Sequence, residues 1–183
     1  MILEQSIDVI LGKLGNWPGD IDPMTAMELY NLATSLSANS VLVDLMAVGG
    51  KSTVILAAAA YRINGRVIAV LGETTRRSIR NEGWNGDHVA QIGMATLSLW
   101  FQRAMHLFKM QEIVRVTEAI DTPVDLVVVR DQNQARAVYG EGTLRPGGFV
   151  FGLGVHKLDG IQPMSINPAF TVWQRPQMTV HPE

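Results

Sequence analysis

The sequence predicts an α/β fold of three layers, built on a mainly parallel sheet with an antiparallel strand at its C-terminal end. Three observations predict it. Short apolar runs rich in β-branched residues, 41–45, 66–71 and 124–129, lack polar alternation, as strands buried on both faces require. Segments of helical character separate these runs, and a strand-helix-strand unit implies a right-handed parallel crossover. Turn residues rich in glycine and asparagine fall where the strands and helices would end.

Taken in order, isoleucines and leucines at 2, 3, 7, 10, 11 and 14 recur at helical spacing, and Gly15, Asn16, Pro18 and Gly19 end that helix. Asp22 caps a second helix with Pro23 at its first position; Met27, Leu29, Leu32, Ala33 and Leu36 follow, and residues 37–40 break it. Strand 41–45 leads through a turn at 47–50 into helix 51–61, which its alanines favour and which Asn64 and Gly65 stop. Strand 66–71 comes next. Residues 73–93 are polar, with Asn81, Gly83, Asn85 and Gly86 but also Trp84, and read as a loop or lid over a site, or as an excursion from the core. A helix over 95–110, a short strand over 113–116, the strand 124–129 and a helix over 133–141 precede a turn at Arg145, Pro146, Gly147 and Gly148. Residues 149–151 then form a strand, and 169–173 with 177–180 suggest a closing antiparallel hairpin.

With 183 residues the chain holds one domain, 1–183, in which a helical preamble over 1–40 precedes a core over 41–183. Hydrophobic residues make up 47% and charged residues 17%, which excludes disorder as a general description. The net charge of −2 supplies no footprint for gripping a nucleic-acid backbone or an anionic membrane. Zero cysteines exclude a disulfide framework, a thiolate zinc site and a cysteine nucleophile. Glu4 and Asp8 stand where a signal peptide would be basic, and the apolar stretch 54–61 is too short to cross a bilayer, so a cytoplasmic protein is expected.

In sheets of this kind ligands bind beyond the carboxyl ends of the strands, at the switch point. The residues of interest are then 44–53, 71–75, 117–119, 130–134 and 152–157. The run Asp44-Leu45-Met46-Ala47-Val48-Gly49-Gly50-Lys51-Ser52-Thr53, followed from Gly65 by Gly-Arg-Val-Ile-Ala-Val, resembles class I S-adenosylmethionine-dependent methyltransferases. The branch it is similar to reads acid-x-Gly-Ser-x-x-Gly-Lys/Arg-Ser-Thr in its first loop. The likeness continues through residues 124–129, through Leu144-Arg145-Pro146-Gly147-Gly148 and through the C-terminal apolar stretches, covering roughly residues 25–180. It implies a Rossmann-like methyltransferase fold, S-adenosylmethionine as cofactor, and methyl transfer to oxygen or nitrogen of a small molecule such as a sugar. The cofactor contacts it implies are Asp44, Gly50, Ser52, Glu73 and Glu118.

The sequence also departs from that pattern. Met46 stands where the family's leading glycine lets the backbone approach the cofactor, and Leu71 where an acid grips both ribose hydroxyls. Hydrogen bonds to a charged group are worth about 1.5–3 kcal/mol each, so losing two costs on the order of 10²–10⁴ in affinity. Glu73 restores one of them only if its loop bends back. The metal motif Asp-Gly-Asp-His falls on Arg130-Asp131-Gln132-Asn133, and the later His-Asp pair on Leu153-Gly154. Hard divalent metals need clustered oxygen ligands, so no metal site is expected, and S-adenosylmethionine is expected to bind weakly or not at all.

Each candidate has a structural reading beside the functional one. Asp44 either accepts hydrogen bonds from the following loop or, as the resemblance implies, organises the methionine-like end of the cofactor. Lys51-Ser52-Thr53 equally suits a helix N-terminus whose hydroxyls satisfy free amides. Of the histidines at 88, 106, 156 and 181, His156 is the best-placed general base, with Asp131 the other catalytic candidate; His106 reads as structural, and Trp84 and Trp100 as packing residues. Two classes of function follow. One is a methyltransferase-like protein with eroded cofactor and metal motifs, acting on a small molecule if active. The other is a non-catalytic interaction subunit, a homo-oligomer held through its apolar N-terminal helix. A third, P-loop nucleotide binding at Gly50-Lys51-Ser52 with Asp131 holding a metal, needs a glycine where Leu45 stands.

Overall fold

The computed structural model describes residues 2–17, 21–45, 47, 49–70, 93–140 and 142–177, with backbone alone for residue 2 and residues 93–98. A short 3-10 turn at Ile2–Glu4 leads into α1 (Ile7–Leu14) and α2 (Pro23–Thr34). Then follow β1 (Val41–Asp44), α3 (Lys51–Arg62), β2 (Arg66–Val70), α4 (Gly93–Leu107), β3 (Val114–Thr117), β4 (Val124–Val129) and α5 (Gln132–Gly140). The chain closes with β5 (Leu144–Leu153), β6 (Ser165–Ile166) and β7 (Phe170–Gln174). The seven strands form one sheet in the order β3-β2-β1-β4-β5-β7-β6. The first five strands of that order run parallel, and β7 is antiparallel to both β5 and β6. The direction of winding reverses between β1 and β4, which makes the gap beyond their carboxyl ends the switch point.

Local sequence accounts for the elements. The Asp22 carboxylate accepts from the amides of Met24 (2.9 Å) and Thr25 (3.0 Å), and Pro23 needs no amide partner at the first helical position. Residues Ser52 to Ala60 of α3 are all buried, because the helix lies between α2, the N-terminal turn and the sheet. That position explains a helix apolar on every side. α4 stops earlier than the sequence suggests, at Leu107, and Lys109 follows at φ 52°.

One face of the sheet carries α2, α3 and α4, and its core includes Leu3, Ile10 and Leu14 from the N-terminal segment. Ile10 and Leu14 of α1 are thus buried within the chain, Ile7 and Leu11 are partly buried, and Val9 is exposed. The other face presents Val41, Val43, Ile68, Val70, Val127 and Val129 to a thinner layer: α5 through Ala135 and Val138, and the post-β5 loop through Val155 and Leu158. Residues 118–123 alone join β3 to β4, with Ile120 packed on this face, where a parallel connection normally takes a dozen residues or a helix.

The C-terminal hairpin is built differently from the expectation. β7 is the strand expected over 169–173, but its neighbours are β5 and the upstream Ser165–Ile166. The main chain of Arg175 still pairs with Gly147 and Gly148, and Pro176, lacking an amide hydrogen, then ends the ladder. Residues 178–180, expected as the second arm, lie outside the described residues. Among the described residues no helix is long and apolar enough to cross a membrane.

Candidate ligand site at the carboxyl ends of the strands

Asp44 ends β1 fully buried, and the structure surrounds it with donors. Ser52 Oγ and Thr53 Oγ1, in the first turn of α3, each donate to its Oδ2 at 2.7 Å. The register of the sheet sets Val128 beside Asp44, so Arg130, two residues later, leaves β4 next to the same acid. Its Nη1 lies 3.6 Å from Asp44 Oδ1, and its Nη2 donates to Ser52 Oγ at 3.2 Å. The Arg130 side chain is only 5% exposed. A carboxylate taken out of water is costly without a counter-charge, and here a guanidinium, two hydroxyls and the positive end of α3 supply compensation.

The loop between β1 and α3 is held from behind. Trp17 Nε1 donates to the carbonyl of Gly49 at 2.9 Å, and the Trp17 ring meets Trp100 and Phe108 edge-on, with centroids 4.9 and 6.1 Å apart. Gly50 has φ 79°, and a Cβ built there would lie 3.0 Å from Ala104 Cβ and 3.3 Å from Phe101 Cδ2. The glycine at this position is thus required by the close approach of α4.

Beside this cluster, at the ends of β4 and β5, a cleft of about 420 Å³ is lined by residues 130–133 and 154–157. It brings together Asp131 and His156, the two catalytic candidates. Asp131 caps α5 by accepting from the Asn133 amide at 2.6 Å, Gln132 Nε2 donates to the Lys157 carbonyl at 3.0 Å, and His156 and Lys157 are exposed. Another cleft, of about 510 Å³, lies away from all of these, where Arg66 begins β2 and residues 111–115 lead into β3.

Solved structures with the same arrangement of strands and helices include a candidate caffeoyl-CoA O-methyltransferase from Staphylococcus aureus, with TM-score 0.60 and 11% identity over 94% of this chain and 93% of that chain. A methyltransferase from Geobacter sulfurreducens gives 0.56 and 10% over 96% and 88%. The O-methyltransferase TomG from Streptomyces achromogenes, solved in complex with SAM, gives 0.52 and 15% over 82% and 64%. The chain has a class I methyltransferase-like fold. At these identities the likeness is one of fold. No protein-family model matches the sequence, and no curated protein matches it.

In a methyltransferase-like fold the place of Asp44 is the one that the resemblance assigns to the methionine end of the cofactor. In this structure the carboxylate is faced by the buried guanidinium of Arg130. Ser52 is engaged by the same cluster, and Gly50 by α4. Glu118 is exposed just beyond β3, two strands from Asp44. Glu73, Met46 and Leu71 lie outside the described residues, as do Trp84, His88, His181 and all of 73–93 except Gly93. His106 is exposed near the end of α4 rather than part of the core. Among the described residues no group of three or more histidine or acidic residues is placed to hold a metal ion. The role of Arg130 as counter-ion was not visible in the sequence, where it registered only as a missing metal ligand.

Proposed function

We propose that the chain is a methyltransferase-like protein whose S-adenosylmethionine site has been remodelled, so that the cofactor binds weakly or not at all and divalent metal makes no difference. The observation that carries this reading is the buried Asp44–Arg130 pair bridged by Ser52, at the switch point of a sheet with the methyltransferase strand order. A ligand ammonium group entering here would meet an acid already neutralised. Met46 and Leu71, in place of glycine and of a ribose-binding acid, weaken the remaining contacts in the same direction. If a methyl acceptor is used, the cleft holding Asp131 and His156 is its place of entry.

Calorimetric titration with S-adenosylhomocysteine, with and without magnesium, tests the reading. The expected dissociation constant is above about 100 μM in both conditions, weaker than about −5.5 kcal/mol. Micromolar binding, or binding that appears only with magnesium, would contradict it.

A further inference from the structure

We propose that residues 154–163, the loop that follows β5, form a flap whose opening lets water reach Thr171 and Trp173 and moves one wall of the cleft that holds Asp131 and His156. The movement is independent of what the cleft binds.

The register of the sheet puts Trp173 opposite Val150 and Thr171 opposite Gly152, so both side chains rise from β7 on the face that carries Val150. Both are fully buried, and among the described residues neither Trp173 Nε1 nor Thr171 Oγ1 has a hydrogen-bond partner. A polar group buried without a partner has lost its water and gained nothing in exchange. The layer over this face is the loop itself: Val155, Leu158 and Ile161 pack in one cluster with Trp173, beside Ala135 and Val138 of α5. Val155 and the indole share the space above Gly152, where an added Cβ would lie 2.7 Å from Trp173 Cζ3 and 3.0 Å from Val155 Cβ.

The ties that hold the loop down are weak. Among the described residues its main chain bonds to the rest of the protein at Gly154, whose amide donates to the Ala169 carbonyl at 3.3 Å, at Lys157, whose carbonyl accepts from Gln132 Nε2 at 3.0 Å, and nowhere else. The Arg136–Asp159 ion pair joins it to α5 through side chains that are 49% and 60% exposed, where such pairs contribute little. Closure therefore gains the burial of Val155 and Leu158 and forfeits the hydration of two polar groups. Opening reverses both and demands far less than unfolding of the sheet. Residues 154–157 also line the cleft at the ends of β4 and β5, so the flap cannot lift without moving that wall.

Hydrogen exchange of the Trp173 indole N–H, followed by NMR on the full chain with Trp173→Phe to assign the signal, tests the flap. In wild type the indole is expected to be protected at least about 100-fold less than the amides of β4, which exchange through global unfolding. Leu158→Ala, which removes an apolar anchor of the flap, should speed indole exchange at least about tenfold. Asp22→Ala, which weakens the fold far from the flap, should speed the β4 amides and leave the indole rate within about twofold. Thr171→Val keeps the shape and removes the hydroxyl, so it should slow indole exchange at least about fivefold, whereas Thr171→Ser keeps the hydroxyl and should give no slowing. An indole that exchanges in step with β4 and responds to Asp22→Ala would overturn the proposal, because only global unfolding would then expose it. So would an indole rate indifferent to Leu158→Ala, an absence of slowing in Thr171→Val, or a long-lived water detected on the indole by its nuclear Overhauser effect, which would show the buried donor to be satisfied in the closed state.

Discussion

Replacing Gly50 by alanine separates two reasons for a glycine in the loop after β1. Backbone geometry supplies the first part of the cost. With φ at 79°, an L side chain sits in the left-handed region, which costs roughly 1–2 kcal/mol. The second part is steric: the new Cβ would stand 3.0 Å from Ala104 Cβ and 3.4 Å from Phe101 Cα, the latter a backbone atom that moves only with α4. Overpacking of a tight core typically costs about 1–3 kcal/mol. The sum is about 2–5 kcal/mol, a large share of the stability of a domain this size, and at ~2–4 °C per kcal/mol it lowers Tm by about 4–20 °C. Thermal and urea unfolding followed by circular dichroism read both values. Adding Ala104→Gly relieves the steric part only, so a double-mutant cycle is expected to return about 1–2 kcal/mol. A Gly50→Ala loss below about 0.5 kcal/mol would refute the reasoning, because the glycine would then have no packing requirement and close approach of a ligand would be its remaining explanation.

The other predictions concern the segments that hold the site. Asp22→Ala removes the cap of α2 and is expected to cost about 0.5–2 kcal/mol in urea unfolding. Burial pushes the Asp22 carboxyl up, but bonds from the Thr25 hydroxyl and the amides of Thr25 and Met24 together hold it below its ordinary value. Its contribution is therefore fully present above the unfolded-state pKa and is lost as pH falls through the lower folded one; wild type and Asp22→Asn should converge in stability on acidification, and a constant difference down to the most acidic pH at which the fold persists would contradict this. Trp17→Phe deletes the donor to the Gly49 carbonyl and should cost about 0.5–1.5 kcal/mol, with loss of the near-ultraviolet signal from the Trp17–Trp100 pair. An unchanged spectrum and unchanged stability would show that the N-terminal segment does not hold this loop.

The fold was legible because burial on both faces leaves a plain mark. Val41 to Val43 and Leu126 to Val129 are apolar without alternation, and the Asp22-Pro23 and Asn64-Gly65 punctuation marks helix ends by backbone chemistry that is local in sequence. The hairpin was less legible, since Ser165–Ile166 is a two-residue edge strand between Pro163 and Pro168, with no periodicity to read. The site was legible in position but not in wiring. Asp44, Ser52 and Thr53 are near one another in sequence and could be grouped by spacing. Arg130 reaches them only because β1 and β4 are neighbours in the sheet, and Trp17 reaches Gly49 only through tertiary packing that also sets its ring against Trp100 and Phe108. Contacts of that separation carry no signal in a single chain's periodicity. Glycine at position 50 fitted both a cofactor loop and a packing constraint, and only the position of Ala104 supplied the second reason.

The central claim is that Asp44 and Arg130 are engaged with one another in the folded protein, and a double-mutant cycle on stability tests it most directly. Urea unfolding of wild type, Asp44→Asn, Arg130→Gln and the double variant gives the coupling energy. Breaking a buried pair from either side leaves an uncompensated charge and costs about 3–5 kcal/mol, whereas removing both charges together costs far less. The expected coupling is about 2 kcal/mol or more, with the double variant more stable than at least one single variant. Additive losses, with coupling below about 0.5 kcal/mol, would contradict the account.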